Sequence, residues 1–364
     1  MYPADYGGAI DVFYRIKALH DAGVRVILHC TYKGQLNRYA ELESLCEQVY
    51  YYSRNMSVFN QFSRLPYAVL TRKDSRLLEN LAKDDYPILF EGLVTCFFIN
   101  HPVLAGRTKY FRECNVEHDY YRQLASATKS LYRKIYYTIE ARKLQRFESV
   151  VRSADIIYAL SHGDELHFKT AFPDNKVVYM PCFHANSEVT SLEGKSSYIL
   201  YHGNLGLAEN IKAAMYICCE VLPLMPDVHF VFAGRQPDKQ LVDKLSETPN
   251  TELVANPNEK QMADLVQNAH IHLLVTHQAT GMKLKLLNVL YQGRFVVANS
   301  AMVEGTEMKD LCYIADTPQQ QADLCRRLMS ESFSVQHIVR RKDILNRYFS
   351  NNTLVRNFVK PLMP

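Results

Sequence analysis

Short apolar runs alternate with amphipathic stretches along nearly the whole chain, and that rhythm narrows the fold more than any other feature. "VRVILHC" (24–30), "VYYYS", "PILFEG", "TKYFREC", "ADIIYALS" and "NKVVYMPCF" read as strands. Between them lie helical stretches: residues 9–22 with Phe13, Ile16 and Leu19 on one face, "AELESLCEQ", "DSRLLENLAK" and a long one over 126–152. The rhythm restarts near Ser196. "SYILYHGNL", "VHFVFAG", "TELVANP", "HIHLLVT" and "RFVVAN" are strands, separated by helices that include "AENIKAAMYICCEVL" and the run after "HQATG". Strand–helix alternation implies parallel sheets with right-handed crossovers. Two such series, joined by the polar "HANSEVTSLEGK" (184–195), predict two Rossmann-like, doubly wound α/β domains facing a cleft. With 364 residues the chain is also too long for a single core.

One strand is out of place. A doubly wound domain opens with a strand that feeds its first glycine turn. Only Met1 to Tyr6 precede Gly7-Gly8, too few and too polar for that strand. The N-terminal sheet is therefore expected to lack its first strand, which we read as a start set downstream of the natural one.

Composition removes several classes. A formal net charge of +4 over this length gives no argument for nucleic acid. No apolar run approaches the ~18 residues that cross a bilayer, and no basic-then-apolar leader is visible. The nine cysteines form no Cys-x-x-Cys pair, so reduced thiols in the cytoplasm are expected rather than disulfides or a zinc site.

In open parallel sheets, ligands collect beyond the carboxyl ends of the strands. Four turns of the second half are suited to this. Gly203, followed by Asn204, leaves backbone open to a ligand. Arg235 in "AGRQP" follows a strand, where a guanidinium grips phosphate in bidentate fashion, although a lone arginine there is commonly surface charge. Asn256 in "ANP" marks the third turn. The fourth is "TGMKLKLLNV", where Thr280 reads as an N-cap. The amides of Gly281 and Met282 would be first-turn donors, and with the helix dipole they favour an anion. Lys283 and Lys285 stand two apart and so are not expected to share one ligand. Lys283, nearer the helix start, is the expected ligand, and Lys285 is expected to be solvated. No Gly-x-Gly-x-x-Gly and no Walker sequence is present.

In the first half, "ECNVEHDYY" gathers Asn115, Glu117, His118 and Tyr121 at a strand exit, where a carboxylate and a histidine could bind a sugar hydroxyl or move a proton. The stretch 126–152 carries Lys129, Arg133, Lys134, Arg142, Lys143, Arg146 and Arg152 against Glu140 and Glu148. Leu131, Ile135 and Ile139 follow a helical spacing and are expected to pack. The basic face is expected to be solvated or, alternatively, to meet an anionic membrane.

Taken together these segments resemble the GT-B glycosyltransferases, and within them glycosyltransferase family 4 (glycosyl transferases group 1). "YPADYGGAIDVFYRIKALHDAGVRVILH" is similar to the family's opening glycine loop, first helix and second strand. "CNVEHDYYRQLA" is similar to its Asn-x-Glu stretch in the acceptor-side domain. "YHGNLGLAEN", "PDVHFVFAGRQP" and "ATGMKLKLLNVLYQGRFVVAN" are similar to successive elements of its donor-binding domain.

The resemblance implies an acceptor-side domain over 1–186, a nucleotide-sugar domain over 187–344 and a final helix near 345–364 that returns to the first. It further implies retaining transfer from a nucleotide-sugar donor to a saccharide, lipid-linked or protein acceptor, with no metal and no cofactor. Gly203, Asn204, Arg235, Asn256, Thr280, Gly281, Met282, Lys283, Leu284 and Asn288 would form the donor site. Asn115, Glu117 and His118 would serve catalysis, and Gly7 and Gly8 would border the acceptor. The chain would be cytoplasmic, with possible peripheral contact at the inner face of the membrane. One departure stands out: the family's two glutamates, separated by seven residues, fall near Thr280 and at Asn288, so neither carboxylate is present. A non-catalytic GT-B-like subunit and a sugar-nucleotide 2-epimerase are the alternative expectations.

Overall fold

The computed structural model describes residues 7–113, 115–277 and 283–360. The chain forms two compact units, Met1–His184 with Asn351–Pro364, and Ala185–Ser350.

In the first unit, α1 (Gly7–Asp21) leads to β1 (Ile27–Tyr32) and β2 (Gln48–Ser53). Then come α2 (Ser75–Leu81), β3 (Ile88–Glu91), β4 (Lys109–Glu113), α3 (Glu117–Ala127), α4 (Leu131–Phe147), β5 (Ile156–Ala159), α5 (His162–Ala171) and β6 (Lys176–Tyr179). The strands fall where the apolar runs predict, and all pairings are parallel. The helix expected over 126–152 is instead two. Backbone at Thr128 is extended, and Ser130 caps a new helix by accepting from the amide of Arg133 at 3.5 Å. A side-chain oxygen that satisfies a first-turn amide favours a fresh N-terminus over continuation. Gly7 and Gly8 are themselves the first turn of α1, where a loop was expected.

β3–β4–β5–β6 form one sheet, and β1–β2 a separate pair. Among the described residues nothing pairs with the free edges of β1 or β3. A cavity of about 580 Å³ is lined by both of these strands (Ile27 and Leu28, Ile88 and Phe90), together with Ile16 of α1. A doubly wound sheet would carry one more strand at that position.

The second unit holds β7 (Tyr198–Asn204), α6 (Ala208–Tyr216), β8 (His229–Arg235), α7 (Lys239–Ser246), β9 (Thr251–Ala255), α8 (Glu259–Asn268), β10 (Ile271–Leu274), α9 (Leu284–Gln292), β11 (Phe295–Ala298), β12 (Tyr313–Ile314), α10 (Pro318–Ser330) and α11 (Val335–Tyr348). Its sheet has the order β12-β11-β10-β7-β8-β9, all parallel. Ile199, Tyr201, Phe230, Phe232, Leu273 and Val297 are fully buried, as strands covered on both faces require. Capping boxes at Asn258 with Gln261 and at Thr317 with Gln320 set the starts of α8 and α10. The segment expected to be a linker packs on this unit: Thr190 donates to Tyr291 O at 2.8 Å, and Gly194 bridges Phe333.

The boundaries therefore fall at 184/185 and 350/351, where the sequence reading had 186/187 and 344/345. α11 stays with the second unit because Arg341 lies buried in it, donating to Ser191 Oγ at 3.0 Å. α12 (Asn351–Val359) belongs to the first, burying Leu354, Val355 and Phe358 against Ala18, Leu19, Tyr110 and Tyr158.

Candidate functional site

The second unit's strand order reverses between β7 and β10. The carboxyl ends of those strands are the crevice in which doubly wound sheets bind ligands. β7 and β8 run so close there that a Cβ on Gly234 would lie 1.9 Å from Gly203 O, so only glycine fits. On the other side β10 leads, through 278–282, into α9.

Lys285, in the first turn of α9, is not solvated as expected. Its Nζ donates to Asn210 Oδ1 at 3.0 Å and lies 5.1 Å from the centroid of the Tyr201 ring. Asn210 is anchored in turn, donating from Nδ2 to Asn204 O at 3.0 Å while its own carbonyl accepts from Tyr201 Oη at 3.1 Å. Burial pulls the Lys285 amine down to about 8. Glu209 opposes that shift and Lys283 adds to it. Burial likewise lowers Lys283 to about 8, against the pull of Glu304 and Glu209. Among the described residues no carboxylate lies within ion-pair distance of Lys285.

Lys283 is the N-cap of α9, with φ −93° and ψ 41°. The helix thus starts at Leu284, four residues after the expected cap Thr280. The expectation that the two lysines point apart assumed both were helical. With Lys283 outside the helix that constraint disappears. Thr280, Gly281 and Met282 lie outside the described residues. Leu284 is buried.

The remaining expected donor residues divide. Arg235 is exposed, and its side chain makes no hydrogen bond or ion pair among the described residues, so it is available to a phosphate. Gly203 and Asn204 sit at the β7 exit, and Asn204 Oδ1 is taken by the Gly206 amide at 3.1 Å. Asn256 is a turn residue: at φ 53° its Oδ1 accepts from the Gln236 amide at 2.8 Å. Asn288 Oδ1 accepts from Asn186 Nδ2 at 2.7 Å, and Asn186 Oδ1 from Gln292 Nε2 at 2.7 Å. That amide ladder occupies the side-chain oxygen of Asn288.

In the first unit the exit of β4 carries the expected acceptor-side group. Asn115 is half-buried, and Glu117 opens α3, its carboxyl raised by burial and only partly countered by Arg72. A carboxyl held up in this way is suited to proton transfer. His118 is buried beside it. Its Nδ1 lies 3.4 Å from Glu148 Oε1, while His167 Nε2 lies 3.1 Å from Glu148 Oε2. Burial raises Glu148, but the two imidazoles outweigh it and hold the carboxyl below its usual value; His167 is raised by its bond to Glu148. The three ligand atoms lie within 4.8 Å of one another, a donor set that would suit zinc. Glu148 and His167 were not foreseen, because they lie 30 and 49 residues from His118.

Also unforeseen is a buried ion cluster. Arg112 grips Asp11 through two bonds of 2.9 Å, Arg15 pairs with Asp11 at 3.1 Å and with Glu91, and the Phe183 amide donates to Asp11 at 2.7 Å. Charged residues inside otherwise apolar helix and strand patterns were its only signal.

The two parallel-sheet units define the fold, which is that of the GT-B glycosyltransferases. Residues 196–331 match the family model for Glycosyl transferases group 1, which covers the crevice just described. The chain is similar to an uncharacterized 44.6 kDa protein in the cps region of Klebsiella pneumoniae, 26% identical over 322 residues that cover 84% of this chain and 82% of that protein. Among solved structures it resembles sucrose-phosphate synthase from Thermosynechococcus elongatus, with a TM-score of 0.67 and 11% identity over 98% of this chain and 93% of that one. It also resembles TarM, with a TM-score of 0.56 and 13% identity over 81% of this chain, which spans 57% of TarM.

Proposed function

We propose that the chain transfers a sugar from a nucleotide-sugar donor, with retention of configuration and without a metal ion, to a glycan, lipid-linked or protein acceptor. The observation that carries this reading is Lys285, a half-buried ammonium whose described partners are one amide oxygen and a ring face. A charge taken out of water without a counter-ion is costly, and a donor diphosphate would offset that cost. Lys283 and Arg235 add two more cations at the same strand ends. Preorganised positive charge at a departing nucleoside diphosphate is usually the largest catalytic contribution, and here it would do the work a divalent cation does elsewhere. Glu117 and Asn115 are the acceptor-side candidates, with Gly7 and Gly8 at the start of α1. The relative in a cps region supports a place in polysaccharide biosynthesis.

The test is release of nucleoside diphosphate from UDP- and GDP-sugars, with and without EDTA, and the anomeric configuration of the product by NMR. Acceptor-dependent release that survives EDTA, with the donor's anomer kept, is expected. Interconversion of the sugar without an acceptor would instead indicate an epimerase. One observation favours a non-catalytic partner subunit: Asn288 stands where the family has a glutamate, and its oxygen is held by Asn186. Failure of UDP and GDP alike to bind would select that reading.

A further inference from the structure

The face of α4 that the sequence pattern assigns to the core is on the outside. Leu131 is 73% exposed, Tyr132 73%, Ile135 53% and Ile139 46%. The packed face is the opposite one, carried by Glu140, Ala141, Leu144 and Phe147. Spacings of four, four, three and four residues place Leu131, Ile135, Ile139, Arg142 and Arg146 in one outward stripe. The stripe is apolar over its first turns and basic over its last. Lys129, Arg133 and Lys134 are exposed around the apolar end. The segment's two carboxylates are both withdrawn: Glu140 is buried on Lys143 and the Tyr67 amide, and Glu148 is buried between its histidines.

A second exposed apolar element lies beside it. The 3-10 turn Val58–Phe62 leaves Phe59 78% and Phe62 86% exposed, with Arg64 exposed just beyond. It is tied to α4 by Lys143 Nζ donating to Gln61 O at 2.8 Å and by Tyr67 N donating to Glu140 Oε2 at 2.7 Å.

We propose that this face of the first unit lies on an anionic lipid surface. The chemistry favours lipid over a protein partner. Two exposed phenylalanines, a tyrosine and three branched aliphatics suit the headgroup boundary, where aromatic rings and long apolar side chains are stable. Exposed cations surround them with no exposed carboxylate on the α4 stripe, the pattern that binds negatively charged headgroups. A protein partner of mixed charge would call for both signs. No helix among the described residues is long and apolar enough to cross a membrane, so the contact is peripheral.

Flotation with phosphatidylcholine vesicles containing phosphatidylglycerol, and with pure phosphatidylcholine, tests the proposal on the full chain. Binding to the anionic vesicles that weakens with salt is expected. Arg142→Glu with Arg146→Glu should weaken it by about fivefold or more for each cation lost. Phe59→Ser with Phe62→Ser should abolish it without moving the thermal transition, since both rings are already in water. The chain contains no tryptophan, so Phe62→Trp supplies a single fluorophore. Its emission should shift to the blue on anionic vesicles and stay put on neutral ones. No flotation at low ionic strength, or no spectral shift, overturns the proposal. So does a dimer in light scattering that these same substitutions dissociate, which would give the face to a second copy of the chain.

Discussion

Replacing Lys285 with methionine should raise the stability of the free protein and remove its response to nucleoside diphosphates. The side chain keeps its length and loses its charge. Burial has moved the amine from 10.5 to about 8, which corresponds to a penalty on the order of 3 kcal/mol against the charged form. The sign follows from proton counting. Between about 8 and 10.5 the unfolded chain holds a proton that the folded one has released, so stability rises with pH across that window. Below it the full penalty weighs on the fold. Methionine removes that penalty and forfeits the Asn210 bond and the Tyr201 ring contact, together about 1–2 kcal/mol. A net gain of roughly 1 kcal/mol should raise the transition of the second unit by about 2–4 °C at pH 7. A diphosphate at a hundredfold its dissociation constant stabilises by about 3 kcal/mol. Loss of one charge-assisted bond weakens affinity by about 1.5–3 kcal/mol, enough to erase most of that shift. Thermal scans of both proteins with and without UDP and GDP measure the two effects together. A variant that melts lower than the parent and keeps its full nucleotide response would refute the reasoning, because Lys285 would then be a structural cation.

Affinity for the diphosphate should fall as pH rises through about 8, where Lys283 and Lys285 lose their protons. Calorimetry in buffers of different ionisation enthalpy should show proton uptake on binding at pH 8. Arg235→Gln should leave the melting temperature unchanged, since exposed substitutions fall within about 0.5 kcal/mol, yet weaken nucleotide binding about tenfold or more. Gly234→Ala should destabilise the second unit by about 1–3 kcal/mol or prevent folding, because the new Cβ meets Gly203 O at 1.9 Å; circular dichroism melting measures it. Glu148→Gln should destabilise the first unit more at pH 6 than at pH 9. His167 is raised by Glu148, so the stability it lends is complete below 6.5 and disappears as pH climbs through its folded value.

Most of the fold was legible because parallel strands buried on both faces leave largely apolar runs, as β7, β8, β10 and β11 of the second sheet do, while the edge strand β9 has no buried residue. Helix ends were less so. The break at Thr128–Ser130 turned on one serine hydroxyl reaching one amide, a competition that helical periodicity does not register. The α4 stripe failed for a related reason. Periodicity shows that Leu131, Ile135 and Ile139 share a face, but not which face the rest of the unit covers.

The candidate site was legible in its turns and misread in its lysines. Gly203, Arg235 and the start of α9 could be placed at strand ends from the alternation alone. Which ammonium reaches Tyr201 and Asn210 depended on where α9 begins. A start at Thr280 sends Lys283 and Lys285 to different sides; a start at Leu284 frees Lys283 and turns Lys285 onto Tyr201 and Asn210. Those two partners lie 84 and 75 residues upstream of Lys285, on a strand and a helix that look purely structural. Asn210 is a poor helix former, placed in the first turn of α6 where its amide can reach both the β7 exit and an ammonium. Its helix-forming cost is therefore better explained by the crevice than by α6, and Asn210→Ala should lower nucleotide affinity while leaving the helix at least as stable as before.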